Sequence, residues 1–111
     1  MTKLTQQKCK PCEGGVMPYA LDFAHRKLKE IPLWKILEDG KKIMRQFTFK
    51  DFTSALTFVN SVGTITEKEN HHPDIHLHDY KKVTITLSTH AIGGLSLNDF
   101  IVAAKIDIIK R

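Results

Sequence analysis

Apolar residues recur along this chain at two periods, and the alternation between them lays out its elements. Ala20, Leu21, Ala24, Leu28 and Ile31 stand at helical spacing, with Pro18 near the start and Pro32 as the stop. The run LWKILEDGKKIMRQFTF then sets Asp39-Gly40 between two segments rich in β-branched and aromatic residues, which predicts a hairpin. Phe52, Ala55, Val59 and Val62 return to the helical step and predict a second helix from about Asp51 towards Glu69. Gly63 and the cluster Thr64-Ile65-Thr66 lower its propensity without ending it. DIHLHDY and KKVTITLST alternate with period two and meet near Tyr80-Lys81, a second hairpin. Val83, Ile85 and Leu87 share one face of its last strand, and Thr84, Thr86 and Ser88 the other. Gly93-Gly94 breaks the chain before SLNDFIVAAKIDII, a third helix. Its Ser96, with Asp99 three residues later, resembles a capping box with Asp in place of Glu.

The order is α-β-β-α-β-β-α. The expected class is α+β: a four-stranded antiparallel sheet with three helices on one face. The last helix complicates that picture. Leu97, Phe100, Ile101, Ala104 and Ile108 make one apolar stripe, and Val102, Ile106 and Ile109 make another. A surface helix of a monomer needs one stripe, so the second predicts contact with another subunit. Sheet edges offer a further way to pair. The expectation is a homo-oligomer, a homodimer or a homotetramer built as a dimer of dimers.

With 111 residues the chain suits one domain, read as an N-terminal arm over residues 1–16 and a single domain over residues 17–111. Its 41% hydrophobic and 26% charged residues are ordinary for a globular protein. No apolar run approaches the roughly 20 residues that cross a bilayer. MTKLTQQKCKPC has no apolar core of a secretory signal, so the expected location is the cytoplasm, with the nucleus also open to it. The formal charge of +5 is scattered over HRKLKE, GKK, YKK and KIDIIKR. That dispersion argues against direct nucleic-acid binding. Cys9 and Cys12 form a lone C-x-x-C in the polar arm, before Glu13-Gly14-Gly15. Without a second ligand pair it reads as a reduced pair rather than a zinc or redox site.

The chemistry gathers in ENHHPDIHLHDYKKVTITLSTH, which holds five of the six histidines: His71, His72, His76, His78 and His90. Pro73 stops the second helix and biases His72 towards extended backbone. His90 follows the last strand, so hairpin pairing would bring it to the same end of the sheet as His71 and His72. Imidazole titrates near neutrality and can give or take a proton without large tuning. Three around one pocket suit a reaction that removes one proton and adds another, worth about 10²–10⁴ in rate. Glu67, one helical turn before His71, and Asp99 are candidates to orient an imidazole or a bound ring, and Asp99 is equally a helix cap. His76 and His78 alternate on a strand, a spacing that also suits metal ligands. Adjacent histidines seldom point at one ion, so these two read as rim or surface residues and no metal is expected.

Three residues separate Glu67 from His71-His72-Pro73, six separate Pro73 from Tyr80, nine separate Tyr80 from His90, and eight separate His90 from Asp99. That pattern, with FTFKDFTSALTFVNSV, STHAIGGLSLNDFIVAAKID and CKPCEGG around it, resembles the pterin-4a-carbinolamine dehydratases over nearly the whole chain. The CKPC arm and the spacer before Tyr80 are similar to the plant and microbial branch. The resemblance implies a dimeric or tetrameric enzyme that dehydrates 4a-hydroxytetrahydrobiopterin to quinonoid dihydrobiopterin, needs no metal or organic cofactor, and regenerates the cofactor of aromatic amino acid hydroxylases. It implies His71, His72 and His90 as the active trio, with Glu67 and Asp99 holding the ring or tuning the imidazoles. Asn70, Ser88, Thr89 and Trp34 join the expected pterin-binding set, Trp34 being equally a core residue. Asn70 stands where animal members carry an acidic residue, and an amide brings no charge. Some relatives bind protein partners or assist assembly instead, so a partner role through the oligomer surface is a second expectation.

Overall fold

The computed structural model describes residues 3–10, 20–37 and 40–111. Cys12, Glu13-Gly14-Gly15, Pro18 and Asp39 of the sequence reading lie outside them. Helix α1 runs Leu21–Leu28, strand β1 Lys35–Leu37, β2 Lys42–Thr48, helix α2 Phe52–Glu69, β3 Asp74–His78, β4 Lys82–Leu87 and helix α3 Leu97–Asp107. The predicted element order therefore holds, and the strands form one antiparallel sheet in the order β1-β2-β4-β3.

Both hairpins rest on backbone that side chains ordinarily avoid. Gly40 has φ +90°, and a Cβ there would meet Leu21 Cδ1 at 2.9 Å, so glycine answers both a turn and a close approach. The β3–β4 turn has no glycine. Asp79 and Tyr80 hold φ of 49° and 51° themselves.

Alternation then decides which face is dry. Val83, Ile85 and Leu87 of β4 are fully buried, as is Ile43 of β2, with Phe47 nearly so. They meet Ala55, Phe58 and Val62 of α2 and the length of α3 in one core cluster. Each such large side chain contributes about 1.5–3 kcal/mol by leaving water. Helix α2 starts on Asp51, whose carboxylate accepts from the Ser54 N–H at 2.8 Å and holds its own proton affinity below the ordinary value through that bond. Asp107, at the end of α3, accepts from Trp34 Nε1 at 2.8 Å and from Arg45 Nη1 at 2.6 Å, which ties the helix to the sheet.

Two expectations change here. The second stripe of α3 is no subunit contact: Val102 and Ile106 are 0% exposed within the single chain. A 3-10 turn, Leu4–Gln6, packs on α3 with Leu4 in the core cluster, so the chain's own arm contributes to the burial of this helix. The large apolar residue left exposed here is instead Ile108, the C-cap just past α3, at 68%. The first helix is also shorter than its periodicity, ending at Leu28 with Ile31 buried in the following turn. Among the described residues no helix is long and apolar enough to cross a membrane.

Candidate active site

The end of α2 aims the first histidines. Asn70 takes φ 52°, a left-handed C-cap, and its N–H bonds back to the carbonyls of Glu67 and Thr66. The His71 N–H donates to Thr66 O at 3.3 Å. After glycine, asparagine is the residue that best tolerates this conformation. The amide at position 70 thus has a backbone reason to be there. The turned chain enters β3, which pairs with β4 so that Asp74 lies opposite Thr86. Residues just before β3 and just after β4 therefore share one end of the sheet. A bridge between Thr89 and Gly94 closes the loop beyond, and His90 opens a 3-10 turn inside it.

A cleft of about 380 Å³ lies at that end, lined by His71, His72 and His90 with Asn70, Ser88 and Thr89. Its size falls within the range of small-molecule sites. Lys10, Ala91 and Asn98 complete the lining; none of them was singled out in the sequence. A second cleft of about 220 Å³ shares Ser88, Thr89 and His90 and adds Lys41 and Lys42.

Behind the cleft stands Asp99, fully buried. Its Oδ1 lies 2.6 Å from His71 Nε2. Its Oδ2 accepts from Thr89 Oγ1 at 2.8 Å and from the Ser96 N–H at 3.0 Å. Thr89 Oγ1 is also 2.8 Å from Ser96 Oγ; since threonine gives its one hydrogen to Asp99, serine donates to threonine. Asp99 is thus both helix cap and histidine partner. Because the carboxylate accepts, Nε2 of His71 carries the hydrogen and Nδ1 is left for proton exchange. Glu67 Oε1 lies 2.6 Å from His72 Nε2, and this pair is open to solvent, at 80% and 53% side-chain exposure. Exposed pairs of this kind orient more than they stabilise.

Trp34 does not reach the cleft. It is 2% exposed in the core with its ring edge-on to Phe47, and its N–H is spent on Asp107. His76 and His78 project from the sheet face that carries Thr84 and Thr86. Their rings lie 4.6 Å apart, and His78 Nε2 meets Thr84 Oγ1 at 2.8 Å. Among the described residues no three His, Cys, Asp or Glu side chains converge as a metal ion would require.

The arm docks beside the cleft. The Cys9 N–H donates to Glu69 Oε1 at 2.8 Å, and Glu69 Oε2 accepts from Lys105 Nζ at 2.7 Å. Burial opposes the Glu69 charge, yet these bonds outweigh it and hold its carboxyl below the ordinary value. Burial, reinforced by that carboxylate, pushes the Cys9 thiol up to about 12. A thiol so shifted is not a nucleophile near neutral pH.

Comparison with known proteins accords with this architecture. The family model described as pterin 4 alpha carbinolamine dehydratase matches residues 18–109. A Chlorobaculum tepidum protein with a provisional pterin-4-alpha-carbinolamine dehydratase name is 47% identical over 96% of this chain and 97% of its own. A Nitrosomonas europaea protein with the same provisional name is 44% identical over 96% and 92%. The crystal structure of a transcriptional coactivator/pterin dehydratase from Brucella melitensis superposes with TM-score 0.75 at 29% identity, covering 81% of this chain and 95% of that one. A pterin dehydratase-like protein identified as a RuBisCO assembly factor in the alpha-carboxysome shares the fold, with TM-score 0.57 at 20% identity over 67% and 84%. This chain belongs to the pterin 4 alpha carbinolamine dehydratase family.

Proposed function

We propose that this protein dehydrates 4a-hydroxytetrahydrobiopterin to quinonoid dihydrobiopterin by histidine acid–base catalysis, and so recycles the tetrahydrobiopterin of aromatic amino acid hydroxylases. The observation that carries the reading is the gathering of three histidines from two chain segments in one cleft, with His71 backed by the buried Asp99. The reaction breaks the bond from C4a to its hydroxyl oxygen. A proton must reach that oxygen so that it leaves as water with the electron pair. Another must leave N5, whose electrons then form the new C=N bond. His71 and His90 serve as the acid–base pair, and His72, oriented by Glu67, polarises the pterin at its reacting edge. The fixed tautomer of His71 confines its proton exchange to Nδ1, a preorganisation that a solvent-exposed imidazole lacks.

The test is an ultraviolet assay of this dehydration with wild type, chelator-treated wild type and His72→Ala. Turnover that survives the chelator and falls by about 10²–10⁴ in the variant supports the reading. No acceleration by folded wild type refutes it.

A homo-oligomer is part of the proposal, through α2 rather than α3. Phe52 and Leu56 are 48% and 40% exposed, and nothing lies within 4 Å of a Cβ built on Gly63. These positions, with the half-buried Val59, form a stripe stepping by four, three and four. Such a stripe suits a second helix. The same surface would serve a protein partner, the role in the printed name of the Brucella melitensis neighbour.

A further inference from the structure

The arm residue Lys10 lines the histidine cleft although 60 residues of chain separate it from His71. Its place there is built. The Lys10 N–H donates to Asn98 Oδ1 at 2.9 Å, and Asn98 Nδ2 donates to the Lys10 carbonyl at 2.5 Å. One amide side chain thus grips both polar groups of a single residue, as a neighbouring strand would. Asn98 is only 7% exposed and stands next to Asp99 at the start of α3. One residue earlier in the arm, Cys9 is held by its N–H to Glu69 and by its Sγ, which donates to Asn98 O at 3.6 Å. Glu69 in turn precedes Asn70 of the cleft. The arm is therefore fastened by two side chains, each one position away from a residue of the site. A segment that served only to cover apolar surface would need Leu4 in the core and no such grip on Lys10.

We propose that the arm walls the pterin cleft at Lys10 and that Lys10, held in place by Asn98, is a substrate-binding residue whose ammonium donates to the pterin C4 carbonyl oxygen. Lysine supplies a charge-assisted donor on a flexible stem, and that oxygen is the strongest fixed acceptor of the ring. The role is binding rather than chemistry, so loss of Lys10 raises KM and leaves kcat near its wild-type value. Asn98 is a positioning residue, which acts on the substrate through Lys10. This inference rests on the pterin reading of the cleft.

The experiment is equilibrium titration of wild type, Lys10→Met, Asn98→Ala and the double variant with 7,8-dihydrobiopterin, alongside the dehydration assay and thermal melts. Lys10→Met keeps the stem of an exposed side chain and is expected to fold. It should bind about tenfold more weakly, the loss of one charge-assisted bond. Asn98→Ala should match it, and the double variant should be no weaker than the weaker single variant, because the two residues act as one unit. Wild-type affinity in Lys10→Met overturns the inference, as does a double variant whose losses multiply. Binding by wild type without accelerated dehydration refutes the proposed reaction and leaves the wall standing. Failure of wild type to bind the pterin refutes both.

Discussion

Asp99 carries more of the site than its spacing announces. The carboxylate answers His71, Thr89 and the Ser96 N–H together, in a position with no solvent. Replacing it by Asn swaps one acceptor oxygen for a donor that faces a donor. Asp99→Asn is expected to lower kcat by about 10²–10⁴, because His71 loses its tautomer lock. It should also cost about 1–3 kcal/mol of stability through the unpaired buried groups. Denaturant titration and steady-state assay on the same preparation check both; full activity in the variant would remove His71 from the acid–base pair. Which residues join His71 was only partly legible in the sequence. Asp99 stands at a spacing that predicts both a cap and a site residue, and it is both. Trp34 shows the converse, for an aromatic near the right sequence position is spent on the core and on Asp107.

Elements were read well wherever apolar period and turn chemistry agree. Helix α2 follows from its helical step with Pro73 beyond its end, and both hairpins from alternation, the first with Gly40 in its turn. Helix α3 misled because a helix buried on two sides has the same pattern whether a partner or its own chain covers it. Residues 4–10 contribute to that burial, and their polar composition hides a buried leucine and hydrogen bonds to the distant side chains of Glu69 and Asn98. Lys10 lies inside the CKPC run and Asn98 inside the Ser96-to-Asp99 cap, but neither motif says that the two residues meet, so the clasp was not legible.

Two predictions belong to elements. Tyr80 holds positive φ in the β3–β4 turn, where a bulky side chain is strained. Tyr80→Gly should raise unfolding stability by about 0.5–1 kcal/mol in a thermal melt, and a loss would show that the ring holds the turn. The other concerns the arm. Glu69 has its folded proton affinity lowered, so its contribution is fully present above the ordinary glutamate value near about 4.3 and is lost as pH falls through the lower folded value. Wild type should exceed Glu69→Gln by about 1–3 kcal/mol at pH 7, with the gap narrowing as pH falls below the ordinary glutamate range. A gap that does not change with pH would mean that the Lys105 and Cys9 bonds do not hold the carboxylate.

At the scale of the whole molecule, the sheet brings the ends of two hairpin strands together, the αL turn at Asn70 aims two histidines, and α3 presents Asp99 behind them. The cleft exists only when all three arrangements are made. A catalytic trio that works as a unit has grossly non-additive losses. The measurement that bears most directly on the account is stopped-flow dehydration of 4a-hydroxytetrahydrobiopterin by wild type, by His71→Ala, His72→Ala and His90→Ala singly, and by the triple variant. The account predicts that each single variant is slower by about 10²–10⁴ and that the triple variant is scarcely slower than the worst of them. A folded triple variant that still turns over at the wild-type rate would contradict it.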